Sequence, residues 1–229
     1  MRVVFCTPTT LPAFPFQGYL KSLDDTVVAL DAEGIGVGFL YVAGSPYISW
    51  TRSDMLKRAL ETDADAVVFL DHDLSWPAET MLKLVRHPGD VVAGDYRYKH
   101  EPEEYMSILA IGVDDRPITR ADGTIDAVQV PAGFLKVTRR AVDRFREAYP
   151  DLCFGRPNRE FTDLFNHGAH DGLWWGEDYA FSRRWRDLGG EIHLIPDLDI
   201  THHRPDQAFP GNLHDFLLRQ PGGSLAKAA

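Results

Sequence analysis

The sequence predicts an α/β fold, a mixed and mainly parallel central sheet with helices on both faces, and three observations carry that expectation. Short apolar runs rich in β-branched residues, above all Val67–Leu70, read as strands buried on both faces, as in a parallel sheet. The stretches between several of them place apolar residues at helical spacing, the order that right-handed crossover units require. The Val67 run also ends abruptly in Asp71-His72-Asp73. Open α/β sheets collect ligands beyond the carboxyl ends of their strands, which is where this triplet falls.

In chain order, Arg2–Phe5 reads as a first strand with Thr7-Pro8-Thr9 as its exit. Leu20, Leu23, Val27 and Leu30 give a helix over Gln17–Leu30, and Val37–Val42 is a second strand closed by Gly44-Ser45-Pro46. A helix from about Ser53 to Glu61, with Met55, Leu56, Ala59 and Leu60 on one face, feeds the Val67 strand. A crossover helix runs antiparallel to its strands, so its first turn lies at the edge where the next strand ends. Arg52 is therefore expected beside Asp71 across one cleft, the alternative being a solvated arginine at a helix start. Thr80–Val85 is helical, and the buried strand Val91–Gly94 delivers Asp95-Tyr96-Arg97-Tyr98-Lys99 to the same edge. This mixture suits phosphate and sugar groups, or simply extends the strand.

Met106–Gly112 and Ile125–Val130 read as strands flanking the Asp122-Gly123 turn, where the parallel half gives way to a mixed half. In Pro131-Ala132-Gly133-Phe134 small residues let backbone approach a ligand, or make a plain bend. Thr138 can cap a helix whose Ala141, Val142, Phe145 and Ala148 face the core. From Asp151 to Trp175 periodicity disappears, and Asn158, Asn166, His167, His170, Trp174 and Trp175 sit among glycines. Tryptophan beside amides fits the apolar face and polar rim of a sugar; a packed loop plugged by its tryptophans is the other reading. Gly176-Glu177-Asp178 opens a helix with Phe181, Trp185 and Leu188 on one stripe and Gly189 at its end. Acids at a helix start also simply favour the dipole. The strand Glu191–Ile195 leads to His202-His203-Arg204, and Gly222-Gly223-Ser224 with the alanine-rich end reads as a tail.

Composition narrows the function. The 229 residues, 44% hydrophobic and 11% aromatic, suffice for one sizeable core. A net charge of -10 argues against a broad grip on nucleic acid, which needs clustered Lys and Arg. The two cysteines, Cys6 and Cys153, form no ligand pair and fit a reducing compartment. With no signal-like or membrane-spanning run, a cytoplasmic protein is expected. Two carboxylates at a buried strand end are costly without a compensating cation, and carboxylate oxygens suit Mg2+ or Mn2+. Asp73 capping the helix that follows, with Pro77 in its first turn, is the alternative.

The ordered set of a strand ending in Asp71-His72-Asp73, the Pro131-Ala132-Gly133-Phe134 segment, Gly176-Glu177-Asp178 at a helix start and histidine after a late strand resembles the GT-A glycosyltransferases, especially family-2-like inverting enzymes. The resemblance spans roughly Arg2 to Arg204. It implies a GT-A type nucleotide-diphospho-sugar transferase sandwich over residues 1–205, with a nucleotide-binding half (1–99), an acceptor-side half (100–205) and an extension or tail over 206–229. It further implies a nucleotide-sugar donor, UDP-sugar favoured, an acceptor that is a glycan or small molecule, and Mn2+ or Mg2+ as cofactor. Asp71 would lie toward ribose or metal, Asp73 would bind the metal, and His202 or His203 would complete its ligands. Thr7, Pro8 and Arg52 would line the nucleotide pocket, Lys99 would reach the diphosphate, Gly133 would sit against the donor sugar, and Asp178 would be the base with Glu177 competing. Val42-Ala43-Gly44-Ser45 lacks the acid that many relatives place near the nucleobase. Two other readings stay open: a metallohydrolase built on the Asp-His-Asp triplet with His167, His170, His202 and His203, and a non-catalytic nucleotide-sugar or glycan-binding module.

Overall fold

In the computed structural model, which describes residues 1–9, 16–157 and 159–220, the first half alternates strand and helix. It runs β1 (Arg2–Thr9), α1 (Gln17–Ala32), β2 (Gly36–Ala43), α2 (Ile48–Leu60), β3 (Ala66–Leu70), a short β4 (Leu74–Ser75), α3 (Ala78–Arg86) and β5 (Val91–Gly94). The chain continues with β6 (Ile108–Leu109), β7 (Ile125–Gln129), β8 (Phe134–Thr138), α4 (Arg139–Ala148), a 3-10 turn at Pro150–Leu152, β9 (Cys153–Arg156), β10 (Arg159–Thr162), β11 (Gly168–His170) and β12 (Leu173–Trp175). Last come α5 (Glu177–Asp187), β13 (Ile192–Ile195), β14 (Ile200–His203), β15 (Ala208–Gly211) and α6 (Leu213–Arg219).

The main sheet has the order β2-β1-β3-β8-β5-β13-β7-β6. β8 runs antiparallel to both β3 and β5, and β7 antiparallel to β13 and β6, so two strands oppose the other six. One face is covered by α2, α4 and α5 through Met55, Leu56, Phe145, Phe181 and Trp185; the other by α1 and α3 through Tyr19, Leu30, Met81 and Leu84. This is the expected α/β architecture, a mixed and mainly parallel central sheet with helices on both faces. β3 and β5 are buried along their whole length, in keeping with their uninterrupted apolar runs.

Several boundaries differ from the sequence reading, each for a physical reason. The central strand β8 is not marked by an apolar run because Lys136 sits within it, buried, donating from Nζ to the carbonyls of Val85 and His87 at the end of α3. α2 begins at Ile48, so Arg52 lies in its second turn, on the buried face, and not at the start. α1 is rotated: Tyr19, Ser22, Thr26 and Leu30 face inward while Leu20 is exposed. The polar pair is buried because Trp76 uses it, its N–H donating to Ser22 Oγ at 2.8 Å and its indole Nε1 to Thr26 Oγ1 at 2.9 Å. In α4, Thr138 caps the helix from its hydroxyl as expected, but Ala148 is exposed. The stretch expected to be irregular from Asp151 holds two short hairpins, β9–β10 and β11–β12. Asn158 lies outside the described residues, as do the glycines and alanines of the expected tail. Beyond residue 205, β15 pairs with β14 and Leu213 is buried. No helix among the described residues is long and apolar enough to cross a membrane.

Candidate active site

Where β3 ends, the Asp71 N–H donates to the Gly133 carbonyl at 2.9 Å, joining its exit to the Pro131–Phe134 segment. The carboxylate then meets Arg52, whose side chain is only 3% exposed. Arg52 Nη2 lies 3.4 Å from Asp71 Oδ1, while Nη1 reaches Glu177 Oε1 at 3.3 Å and Asp178 Oδ1 at 3.4 Å. A buried guanidinium is sustained only by such partners, and Phe165 adds a ring face 5.0 Å from Cζ. The neighbourhood of Arg52 and Asp71 is thus the one the crossover geometry implied. Burial lowers the Arg52 pKa, but the charges of Asp178, Asp71 and Glu177 prevail and raise it. Burial also pushes Asp71 up, against Arg52.

The two acids that open α5 divide their partners. Asp178 Oδ2 accepts the Ala132 N–H at 3.1 Å, so this carboxylate is held by Arg52 on one oxygen and by backbone on the other. Glu177 lines the cleft, and burial followed by the adjacent Asp178 pushes its carboxyl up to about 7. Tyr96, fully buried from β5's exit, donates its hydroxyl to Asp71 Oδ2 at 3.2 Å. Gly133 is required here: a Cβ on it would stand 2.1 Å from Tyr96 Oη and 2.3 Å from Asp71 Oδ2. The space that glycine leaves is filled by those two groups.

Asp73 belongs to a second cluster, assembled by the small sheet β15-β14-β4. Pairing of Leu74 with His202 brings the histidine pair to the triplet, and the His203 N–H donates to the Asp73 carbonyl at 2.8 Å. His202 Nε2 lies 3.6 Å from Asp73 Oδ1, and its Nδ1 lies 2.9 Å from the Arg97 carbonyl. The carbonyl can only accept, so Nδ1 carries a proton, while Nε2 faces Asp73. His203 turns elsewhere, 2.7 Å from Ser75 Oγ and stacked on Phe16 at 5.7 Å. Lys99 Nζ is paired with Asp73 Oδ2. Burial raises the Asp73 pKa, but the bonds from His202 and Lys99 dominate and hold it well below the usual carboxylate range. Of the four expected metal ligands, Asp73 and His202 face each other at 3.6 Å, while Asp71 is engaged by Arg52 and Tyr96, and His203 by Ser75.

Beside both clusters is a cleft of about 350 Å³ reached by Pro8, Thr9, Ser45, Pro46, Ile48, Thr51, Arg52, Asp71, His72, Asp73 and Glu177. Pro8 lines it, whereas the Thr7 hydroxyl is buried against Tyr19 Oη at 2.6 Å. Sequence reasoning gave no role to the Ala132 N–H, and it included Tyr96 and His72 only as members of the Asp95–Lys99 run and of the Asp-His-Asp triplet. Tyr96 had a signal, lying in the polar run after a buried strand; the Ala132 N–H had none, because any residue but proline supplies one. His167 and His170 do not join the Asp71 edge: His167 sits 6.1 Å from the Trp174 ring, and His170 packs on Trp175 with Nε2 3.2 Å from Arg184 Nη2.

No family model and no curated protein matches the chain. Among solved structures, it is similar to A197 from STIV, with 18% identity, 93% of this chain and 95% of that one covered, and a TM-score of 0.53. A Drosophila beta-1,4-galactosyltransferase 7 catalytic domain in complex with xylobiose matches at 14% identity, 85% and 64% coverage and a TM-score of 0.46. S. aureus TarS matches at 13% identity, with 100% of this chain and 41% of that one covered and a TM-score of 0.47. At such identities the likeness is one of fold.

Proposed function

We propose that this chain is a metal-dependent glycosyltransferase that moves a sugar from a nucleotide diphosphate donor, a UDP-sugar by preference, to an acceptor hydroxyl with inversion. The observation that carries the reading is the convergence of Asp71, Glu177 and Asp178 on the buried Arg52 at the rim of a cleft, with Asp73, His202 and Lys99 alongside. Asp73 and His202 would hold the divalent ion, Mn2+ or Mg2+, which when bound neutralises charge gathering on the departing diphosphate. Lys99 is within reach of the same oxygens and can exchange Asp73 for phosphate. Pro8 and Arg52 would flank the nucleotide, and Asp71 the ribose. A cytoplasmic location belongs to this reading and accords with two free cysteines.

Asp178 is assigned as the base. Its two carboxylate contacts, to Arg52 and Ala132, fix its position, and the acceptor proton passes to it as the acceptor oxygen forms its bond to the anomeric carbon. The bond from that carbon to the diphosphate breaks on the opposite face, so configuration inverts. Glu177, raised to about 7, is the competing proton acceptor. The test is release of UDP and analysis of the product across a panel of simple glycoside acceptors. Asp178→Asn should lower transfer by about 10² to 10⁴ with donor affinity kept, the usual worth of a positioned base. Full activity in Asp178→Asn with loss in Glu177→Gln would move the role to Glu177, and product of retained configuration would reject the displacement.

A further inference from the structure

A second group of metal-ligating side chains lies at the opposite end of the parallel strands. His87 follows α3 just before β5, His193 stands near the start of β13, and Asp122 projects from the turn leading into β7. Their ligand atoms all lie within 4.8 Å of one another, and among the described residues no other group of three or more His, Cys, Asp or Glu side chains comes together in this way. We propose that His87 Nε2, Asp122 Oδ2 and His193 Nδ1 form a site for a transition metal of the zinc class, separate from the candidate active site and tying the loop between β6 and β7 to the starts of β5 and β13.

Two of the three ligand-atom separations are near those of a loaded site. Asp122 Oδ2 is 3.1 Å from His87 Nε2 and 3.7 Å from His193 Nδ1. A tetrahedral ion with bonds of about 2.0–2.1 Å sets its ligand atoms about 3.3 Å apart, between these two values. Two imidazoles and one carboxylate are the borderline donor set that zinc takes, and three protein ligands leave the fourth position to water. The rings are largely buried, with side-chain exposures of 10% for His87 and 15% for His193.

The surroundings are organised as supporting groups. Asp122 Oδ1 accepts from the Thr124 N–H at 3.0 Å and the Thr124 hydroxyl at 2.7 Å, which leaves Oδ2 directed at the histidines. His193 Nε2 lies 3.5 Å from Glu191 Oε2, and Glu191 is anchored by Arg120 at 2.9 Å. A carboxylate on the far nitrogen of a ligating histidine fixes its tautomer and raises its basicity. Gly89 provides the room: a Cβ there would stand 2.7 Å from His193 Cδ2 and 3.0 Å from His87 Nδ1. The His87 Nδ1 now accepts the Gly89 N–H at 3.0 Å, so the neutral ring carries its proton on Nε2. Loading the metal at Nε2 moves that proton to Nδ1 and breaks the Gly89 bond, which makes the Gly89 amide a reporter of occupancy.

The test uses the full chain freed of metal with a chelator and titrated with Zn2+ by calorimetry, with the Gly89 amide followed by NMR. Wild type and Asp73→Ala should both bind zinc at this site and shift the Gly89 amide. Asp122→Asn and His193→Gln should lose affinity by more than about 100-fold, because removing a ligand costs more than removing a supporting group. Unchanged zinc affinity in Asp122→Asn, or a Gly89 amide that does not move in zinc-saturated wild type, overturns the proposal. Should the variants fail to fold, the wild-type amide and the visible spectrum of a Co2+-substituted sample decide, a tetrahedral spectrum being expected and an octahedral one contradicting it. Because Asp73→Ala is expected to keep this site, its outcome is independent of the glycosyltransferase reading.

Discussion

The two ends of the parallel strands carry opposite arrangements of charge. At the carboxyl edge three carboxylates, Asp71, Glu177 and Asp178, share one buried guanidinium. At the other edge two imidazoles share one carboxylate, Asp122. The first is over-supplied with negative charge and keeps it in place with a cation that cannot leave, which suits the proposed ligand with its hydroxyl protons and accompanying metal ion. The second sets two good nitrogen donors beside one carboxylate, which suits the proposed metal itself. On the two proposed readings, position in the sheet separates chemistry from reinforcement: long loops and helix starts meet at the carboxyl edge, while the opposite edge gathers the end of α3, the start of β13 and a turn.

Removing the shared cation should have the largest effect on this contrast. Arg52→Met would leave three carboxylates without their buried partner, and chemical denaturation should report a loss of about 3–5 kcal/mol, with the variant regaining stability at acid pH as the carboxylates protonate. A loss below about 1 kcal/mol would mean that Arg52 is not what holds the cluster.

The histidine pair sharpens the comparison at the next level. His202→Ala should weaken metal-dependent nucleotide binding by about 10–100-fold, because its Nε2 faces Asp73, whereas His203→Ala should leave that affinity within a few-fold. Calorimetric titration of both variants is the check, and an equal loss in the two would show that Ser75 does not hold His203 out of the site.

The acid pair gives a dependence on pH. Glu177 is raised in the folded chain from the ordinary 4.5 to about 7, so between those values the folded chain binds more protons than the unfolded one. Its contribution is fully present below about 4.5 and is lost as pH rises through about 7. Melting curves of wild type against Glu177→Gln over that range should show the variant flatter; parallel curves would place the raised proton elsewhere.

A smaller effect tests the packing beneath the site. Ser22→Ala should cost about 1 kcal/mol, since the Trp76 N–H loses its acceptor, while Leu20→Gln on the exposed face should stay within about 0.5 kcal/mol.

That last pair also shows where the sequence was readable. Strands β3 and β5 declared themselves because nothing polar interrupts them, and the crossover rule was enough to place Arg52 beside Asp71 before any coordinates. α5 with its Gly189 stop was likewise plain, Gly189 having a φ of +71°. What stayed hidden were polar residues buried for a partner's sake. Lys136 masked β8 because its partners are carbonyls at the end of a helix fifty residues away, and Ser22 and Thr26 turned α1 because Trp76 needed them. The His87, Asp122 and His193 group was invisible for the same reason, since three elements distant in sequence have to meet before it exists. Periodicity reports what a residue avoids; it does not report whom it meets.

The central claim, that the carboxyl edge holds a nucleotide sugar through a metal, is tested most directly by titrating UDP-sugars into the chain with and without Mn2+, in wild type and Asp73→Ala. The account predicts binding in wild type that requires Mn2+, a stabilisation of about 2.7 kcal/mol at a hundredfold excess over Kd, and loss of both in a folded Asp73→Ala. Absence of binding to wild type with any nucleotide sugar, or unchanged affinity in Asp73→Ala, would contradict it.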